Sequence, residues 1–196
     1  MKHSPILFLV EVAMFAALGA VLSLPFLTIP LWVQGGSIAF AMVPIFFMAY
    51  RWGLKGGVTT GLLVGIFNSL INPFIVHPVQ YVMDYPLAYA VVGIAGIFSK
   101  PALKAVRDGH AKSFTVYIVM GTLLGSALRF MSHFIGGIVF FSSFAPEGTA
   151  VWYYSLTYNI GYMLPSFIIS AVILNIILYK QPKLLRFGGS QTAKSV

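Results

Sequence analysis

The chain has 196 residues, of which 59% are hydrophobic and 8% charged, and its mean hydropathy is +0.90. These values exclude an ordinary water-soluble domain and, at this length, more than one compact domain. The formal net charge of +8 invites a nucleic-acid reading, but the basic residues flank long apolar runs, so the positive-inside rule accounts for them and no nucleic-acid partner is expected.

A membrane-spanning helix needs about 20 apolar residues. Six candidates follow in chain order. The first, near 5–27, ends at Pro25 and Pro30; no A-x-A-like cleavage site closes it, so it reads as a first transmembrane helix and not a removed signal. The second, near 37–50, follows Gly35-Gly36 and closes at Arg51. The third, near 54–72, ends at Asn72-Pro73, and the fourth, near 79–99, starts after His77-Pro78. The fifth lies near 113–142 and the sixth near 154–179, closed by Lys180. The expectation is an all-α membrane protein: a single six-helix domain over 1–187 and a polar C-terminal tail over 188–196.

Charge fixes the expected orientation. Eleven of the twelve basic residues fall in the N-terminal tail, two alternate connections and the C-terminal tail. Lys2 precedes the first helix; Arg51 and Lys55 lie between the second and third; Lys100, Lys104, Arg107 and Lys112 lie between the fourth and fifth. Lys180, Lys183, Arg186 and Lys194 follow the sixth. The connections near 28–36, 73–78 and 143–153 carry no Lys or Arg. Six helices in a cell membrane, with both termini cytoplasmic, satisfy every connection. Trp152 and Tyr153 read equally well as part of an aromatic belt at the headgroup level.

Ionisable groups inside a membrane cost about 2.5–3.5 kcal/mol each on insertion scales and so face a partner or a cavity. Asp84 stands near the outer end of the fourth helix. Arg129 and His133 stand four apart on the fifth, and Asn159 and Tyr154 near the outer end of the sixth. With the helices alternating, all reach a similar depth. One reading is a buried Asp84–Arg129 ion pair with His133 satisfied locally. The other is a pocket for a flat, hydrogen-bonding cation: a carboxylate as counter-charge, with an imidazole, an amide and aromatic faces around it. Glu11 lies near the cytoplasmic end of the first helix and reads as structural, within reach of a basic neighbour. Ala13 and Ala17 form an AxxxA spacing within a small-residue surface that suits close helix contact, either internally or with a partner subunit.

With those residues in view, the chain resembles the thiamine-specific substrate-binding subunits of energy-coupling factor transporters, over about residues 8–187. The segments that carry the likeness are EVAMFAAL, QGGSI, RWGLKGG, HPVQYVMDYPLA, LRFMSHFIGGIVFF and YYSLTYNIGYMLP. The resemblance implies a six-helix subunit that binds thiamine near the outer face. It also implies a separate transmembrane coupling subunit and two ATPases as partners. It assigns ligand binding to Asp84, Tyr85, His133, Gly137, Tyr154 and Asn159. Trp32 is the candidate ligand-covering aromatic, and the loop 28–36 a candidate lid. Phe141 stands where a stacking tryptophan occurs in some relatives, and Phe74 where a tyrosine can occur. Ala13 and Ala17 match the docking motif for the coupling subunit.

Rival readings are weaker. An enzyme using Asp84 and His133 lacks a second catalytic carboxylate, metal-ligand spacing and a nucleophile beside a base, so no catalytic residue, metal or cofactor is expected. A stand-alone secondary transporter lacks a visible repeat. A capture subunit for a different vitamin shares everything but the pocket. No G-x-x-x-x-G-K-S/T loop occurs, so ATP hydrolysis belongs elsewhere.

Overall fold

The computed structural model describes residues 5–32, 35–71 and 73–185, and the backbone alone of Trp32. Helix α1 is Pro5–Val21, shorter than the expected 5–27. The chain leaves it through a 3-10 turn, Pro25–Leu27, because Pro25 has no N–H to continue the ladder. Strands β1 (Ile29–Trp32) and β2 (Gly35–Ile38) form an antiparallel hairpin, with Ile29 opposite Ile38 and Pro30 opposite Ser37. The second helix therefore starts at Met42 and not at 37. Pro30 and the glycines favour an extended ribbon over a helix at this point.

Helix α2, Met42–Ile71, is two arms that meet at Gly53. Gly53 has φ 71° and ψ −162°, a conformation open to glycine and hostile to residues with a Cβ. Ala49 Cβ lies 2.6 Å from where a Cβ on Gly57 would sit. In one straight helix those residues would be about 12 Å apart. The chain thus doubles back, and Ala41 and Val64 both come to face Gly19. The first arm, 42–52, is the centre of the bundle. From Met42 to Tyr50 every residue except Val43 is buried, as expected of a helix with neighbours on all sides.

Helix α3 runs over Pro78–Arg107 and is irregular. Residues Met83–Leu87 form a π turn around Pro86, which cannot donate to the carbonyl four residues back. Val91–Phe98 is wound as 3-10 helix. The second arm of α2 packs on α3 backbone to backbone. Cβ atoms added at Gly57 or Gly93 would enter the opposite main chain, and those at Gly61 and Gly65 would meet the carbonyls of Tyr89 and Tyr85. The glycines Gly53, Gly57 and Gly61 thus face inward against α3. Helices α4 (Ala111–Phe140) and α5 (Val151–Lys180) complete the bundle, with a closing 3-10 turn at Pro182–Leu185.

Helix α5 shows how the polar and apolar faces are distributed. Ile160, Leu164, Ile168, Val172 and Ile176 form an exposed stripe at four-residue spacing. The opposite face buries Ser155, Asn159, Tyr162, Ser166 and Ser170. Large apolar residues outside and polar ones inside, three of them serines, suit a lipid solvent, where close helix approach replaces the hydrophobic drive to bury leucines. Among the described residues α2 to α5 have the length and apolar composition of membrane spans, α2 with its 30 residues divided between its two arms, and α1 is a shorter apolar helix.

At the end of the bundle away from the hairpin, Glu11 anchors three segments. Its carboxylate accepts from Arg51 Nε at 2.6 Å, from an Arg51 Nη at 2.6 Å and from Trp52 Nε1 at 2.7 Å. Arg51 also donates to the Leu184 carbonyl at 2.7 Å. The structural reading of Glu11 thus acquires its basic neighbour. Glu11→Ala should leave the Arg51 guanidinium half-paired in a nearly dry site. The expected loss is about 3 kcal/mol, read as a lowered unfolding temperature of the detergent-solubilised chain.

Candidate functional site

A cavity of about 630 Å³ opens at the hairpin end of the bundle. That size lies within the range of roughly 300–1,000 Å³ typical of small-molecule sites. Its walls come from the hairpin (Pro30, Gly36, Ser37), the second arm of α2 (Asn68), the first turns of α3, and the facing ends of α4 and α5. Eight of the expected residues converge on it: Phe74, Asp84, Tyr85, His133, Gly137, Phe141, Tyr154 and Asn159. The side chain of Trp32, the expected covering aromatic, lies outside the described residues. The 28–36 loop is in large part the β-hairpin, and its residues 33–34 are likewise outside them.

Asp84 sits in the π turn of α3. Ser132 Oγ donates to the Met83 carbonyl at 2.6 Å and so fastens this turn to α4. His133 Nδ1 lies 3.0 Å from Asp84 Oδ1, and Gln80 Nε2 donates to Oδ2 at 2.7 Å. Gly136 leaves room for the carboxylate, since a Cβ there would stand 3.1 Å from Oδ1. Arg129 Nε points at His133 Nε2 at 3.4 Å, and the guanidinium lies over the Tyr89 ring, 4.0 Å from its centroid. The order of groups defines the protons: Nδ1–H of His133 donates to Asp84, while Nε2 accepts from Arg129. The buried Asp84–Arg129 ion pair considered from the sequence does not form. The imidazole stands between the two charges, and Arg129 meets a ring face and a nitrogen lone pair.

On α5, Tyr154, Tyr158 and Tyr162 recur every fourth residue and form a ladder, with centroids 5.8 and 6.0 Å apart. Asn159 is engaged within its own helix. Its amide donates to the Ser155 carbonyl at 2.8 Å, and its oxygen accepts from Tyr162 at 2.6 Å. Gly137 has a packing role beside its place in the wall: the space of a Cβ is occupied by Ser155 Oγ, which donates to the Phe134 carbonyl at 2.9 Å. At the mouth, Phe74 stacks on Phe141 with centroids 5.8 Å apart, and Phe144 meets both edge-on. Two rings at that spacing are in mutual contact and leave no slot for a third between them, so a planar ligand would stack on the cavity-facing side of one ring. Trp152 and Tyr153 are half exposed and lie outside the cavity walls, in line with the belt reading.

Sequence reasoning passed over Gln80, Asn68, Tyr158 and Tyr162. The signal for the two tyrosines was their four-residue spacing from Tyr154. Gln80 stands four residues before Asp84, on the same helix face.

This geometry can be set beside known proteins. The thiamine transporter ThiT of Bacillus subtilis (strain 168) is 45% identical over 182 residues, covering 91% of this chain and 93% of that one. ThiT of Lacticaseibacillus paracasei is 29% identical over 187 residues, covering 93% and 92%. A solved structure of ThiT from Listeria monocytogenes superposes with a TM-score of 0.84 at 28% identity, covering 92% of this chain and 97% of that one. The S component of a bacterial ECF transporter shares the fold, with a TM-score of 0.58 at 15% identity. The chain is a multi-pass integral membrane protein of the bacterial cell membrane. The family model described as thiamine transporter protein (Thia_YuaJ) matches residues 9–186, and the chain belongs to that family.

Proposed function

We propose that this chain is the thiamine-binding subunit of an energy-coupling factor transporter. It captures the vitamin at the outer face and passes it inward together with a coupling subunit and ATPases. The observation that carries the reading is the Asp84 carboxylate, oriented by His133 and Gln80 in the wall of an aromatic cavity of ligand size. Thiamine joins an aminopyrimidine to a cationic thiazolium. Asp84 supplies a counter-charge and hydrogen-bond acceptor, and the faces of Phe141 and the tyrosine ladder supply flat apolar surface. Tyr85, Gly137, Tyr154, Asn159, Phe74 and Trp32 complete the proposed site. The hairpin serves as its cover.

The proposed topology has six passes, counting the two arms of α2 separately, with both termini cytoplasmic. The first arm has 11 residues and rises about 16 Å, half of a hydrocarbon layer of about 30 Å. The hairpin therefore fills the outer half of that pass. Its strands pair with each other and line the cavity, which is where non-helical backbone is tolerated at membrane depth. ATP hydrolysis is placed on separate subunits. Ala13 and Ala17 are exposed on α1, beside the outward-facing Leu9, Val10 and Met14, and offer the docking surface for the coupling subunit.

Titration of the detergent-purified chain with thiamine, followed by intrinsic fluorescence, should give tight saturable quenching. Asp84→Asn and His133→Ala should each weaken binding by about tenfold or more, as expected on losing a hydrogen bond to a charged group. A folded chain with no response would overturn the reading. Gly136→Ala separates site geometry from stability. Helix propensity favours alanine by about 1 kcal/mol, so the unfolding temperature should hold, while the new Cβ displaces the Asp84 carboxylate and thiamine affinity falls. Ala17→Trp should leave thiamine binding by the isolated chain intact and abolish uptake by cells that also make the coupling subunit and ATPases.

A further inference from the structure

We propose that Gln80 is a positioning residue that holds the Asp84 carboxylate and the Phe74 connection at the cavity mouth in one hydrogen-bond set. The proposal rests on the thiamine-binding reading of the cavity and adds a residue outside those that the resemblance assigns to the ligand. Gln80 is 1% exposed. Its Nε2 donates to Asp84 Oδ2 at 2.7 Å and to the Phe74 carbonyl at 3.0 Å. Its Oε1 accepts from the Val76 N–H at 3.2 Å. One amide thus ties a carboxylate on α3 to two backbone groups of the 73–77 connection.

The neighbours of Gln80 show what this tie controls. Phe74 N–H donates to Tyr85 Oη at 2.8 Å, so both tethers of the connection come from α3. The Phe74 ring then lies on Phe141 at the cavity mouth. The His133 imidazole holds Asp84 Oδ1, leaving Gln80 to fix the second oxygen and with it the plane of the carboxylate. A primary amide suits this place. It donates twice on one side and accepts on the other, and it adds no charge beside Asp84. Leucine fills a similar volume with none of these bonds. Glutamate keeps the acceptor for Val76 and sets a second carboxylate against Asp84.

The test uses the full chain in detergent, with thiamine as the probe. Dissociation constants and dissociation rates are measured for wild type, Gln80→Leu and Gln80→Glu at pH 5.5 and pH 8. Gln80→Leu should bind about tenfold more weakly, with faster release as Phe74 loosens. For Gln80→Glu the informative quantity is its affinity relative to wild type at the same pH. An ionised carboxylate introduced there repels Asp84, whereas a protonated one donates where the amide did, so the defect should be large at pH 8 and shrink at pH 5.5. Taking the ratio removes titration that is the same in both chains, from His77 in the tethered connection, Tyr85 and Tyr89 on α3, Arg129 on α4, and Tyr154, Tyr158 and Tyr162 on α5; Asp84, with His133 on its other oxygen, is coupled to the new carboxylate, and the ratio reports that pair. Among the described residues the second arm of α2 and the hairpin bring no charged group to the cavity. If Gln80→Leu fails to fold, the pH dependence of the Gln80→Glu ratio decides alone. Wild-type affinity in both variants, or a ratio that does not move with pH, overturns the proposal while leaving thiamine binding in place. Absence of thiamine binding in wild type overturns the functional reading and this proposal together.

Discussion

The second arm of α2 and helix α3 touch through their backbones, and much of the molecule depends on that contact. Glycines at 53, 57, 61 and 65 on one side, and 93 and 96 on the other, remove the side chains that would hold the helices apart. In lipid, where burying a leucine brings little, such close approach is a main source of helix association. The contact accompanies a strongly irregular α3, with a π turn around Pro86 and a long 3-10 run. The π turn is where Asp84 and Tyr85 leave the helix for the cavity. A regular helix would aim those side chains elsewhere, so the packing of two backbones and the aim of one carboxylate are linked.

That carboxylate is costly in an apolar surrounding and is matched group by group. Gln80 takes one oxygen and His133 the other, Arg129 backs the imidazole, and Tyr89 backs Arg129. The chain of contacts has one negative end, one positive end and a neutral ring between. Its two charges balance without touching. This leaves the carboxylate held by neutral donors in the cavity wall, so that in the proposed site a cationic ligand meets it without first breaking an ion pair with Arg129.

Charge is handled differently at the other end. Glu11, Arg51, Trp52 and the Leu184 carbonyl form a set that joins α1, the reversal of α2 and the 182–185 turn. Nothing in that cluster faces the cavity. The buried first arm of α2 lies between the two clusters, with the other helices packed around it. The face of α1 that carries Ala13 and Ala17 is left outward.

Spacing and charge in the sequence by themselves determined the apolar segments, the place where two of them reverse at Arg51–Lys55, and the convergence of Asp84, His133, Tyr154 and Asn159. These follow from local rules: apolar length, flanking basic residues and helical periodicity. The hairpin was not legible, because four-residue strands of mixed apolar and glycine residues look like either a helix start or a loop. Nor was the partner of Asp84. Arg129 and His133 occupy one face of α4, and sequence offers the carboxylate to both. Only the π turn, the room left by Gly136 and the approach of Gln80 decide for the imidazole, and these are matters of ångströms set by packing between helices. Asn159 and Gly137 were legible as positions but not as contacts, since their engagement with Ser155 and Tyr162 depends on how closely α4 and α5 meet.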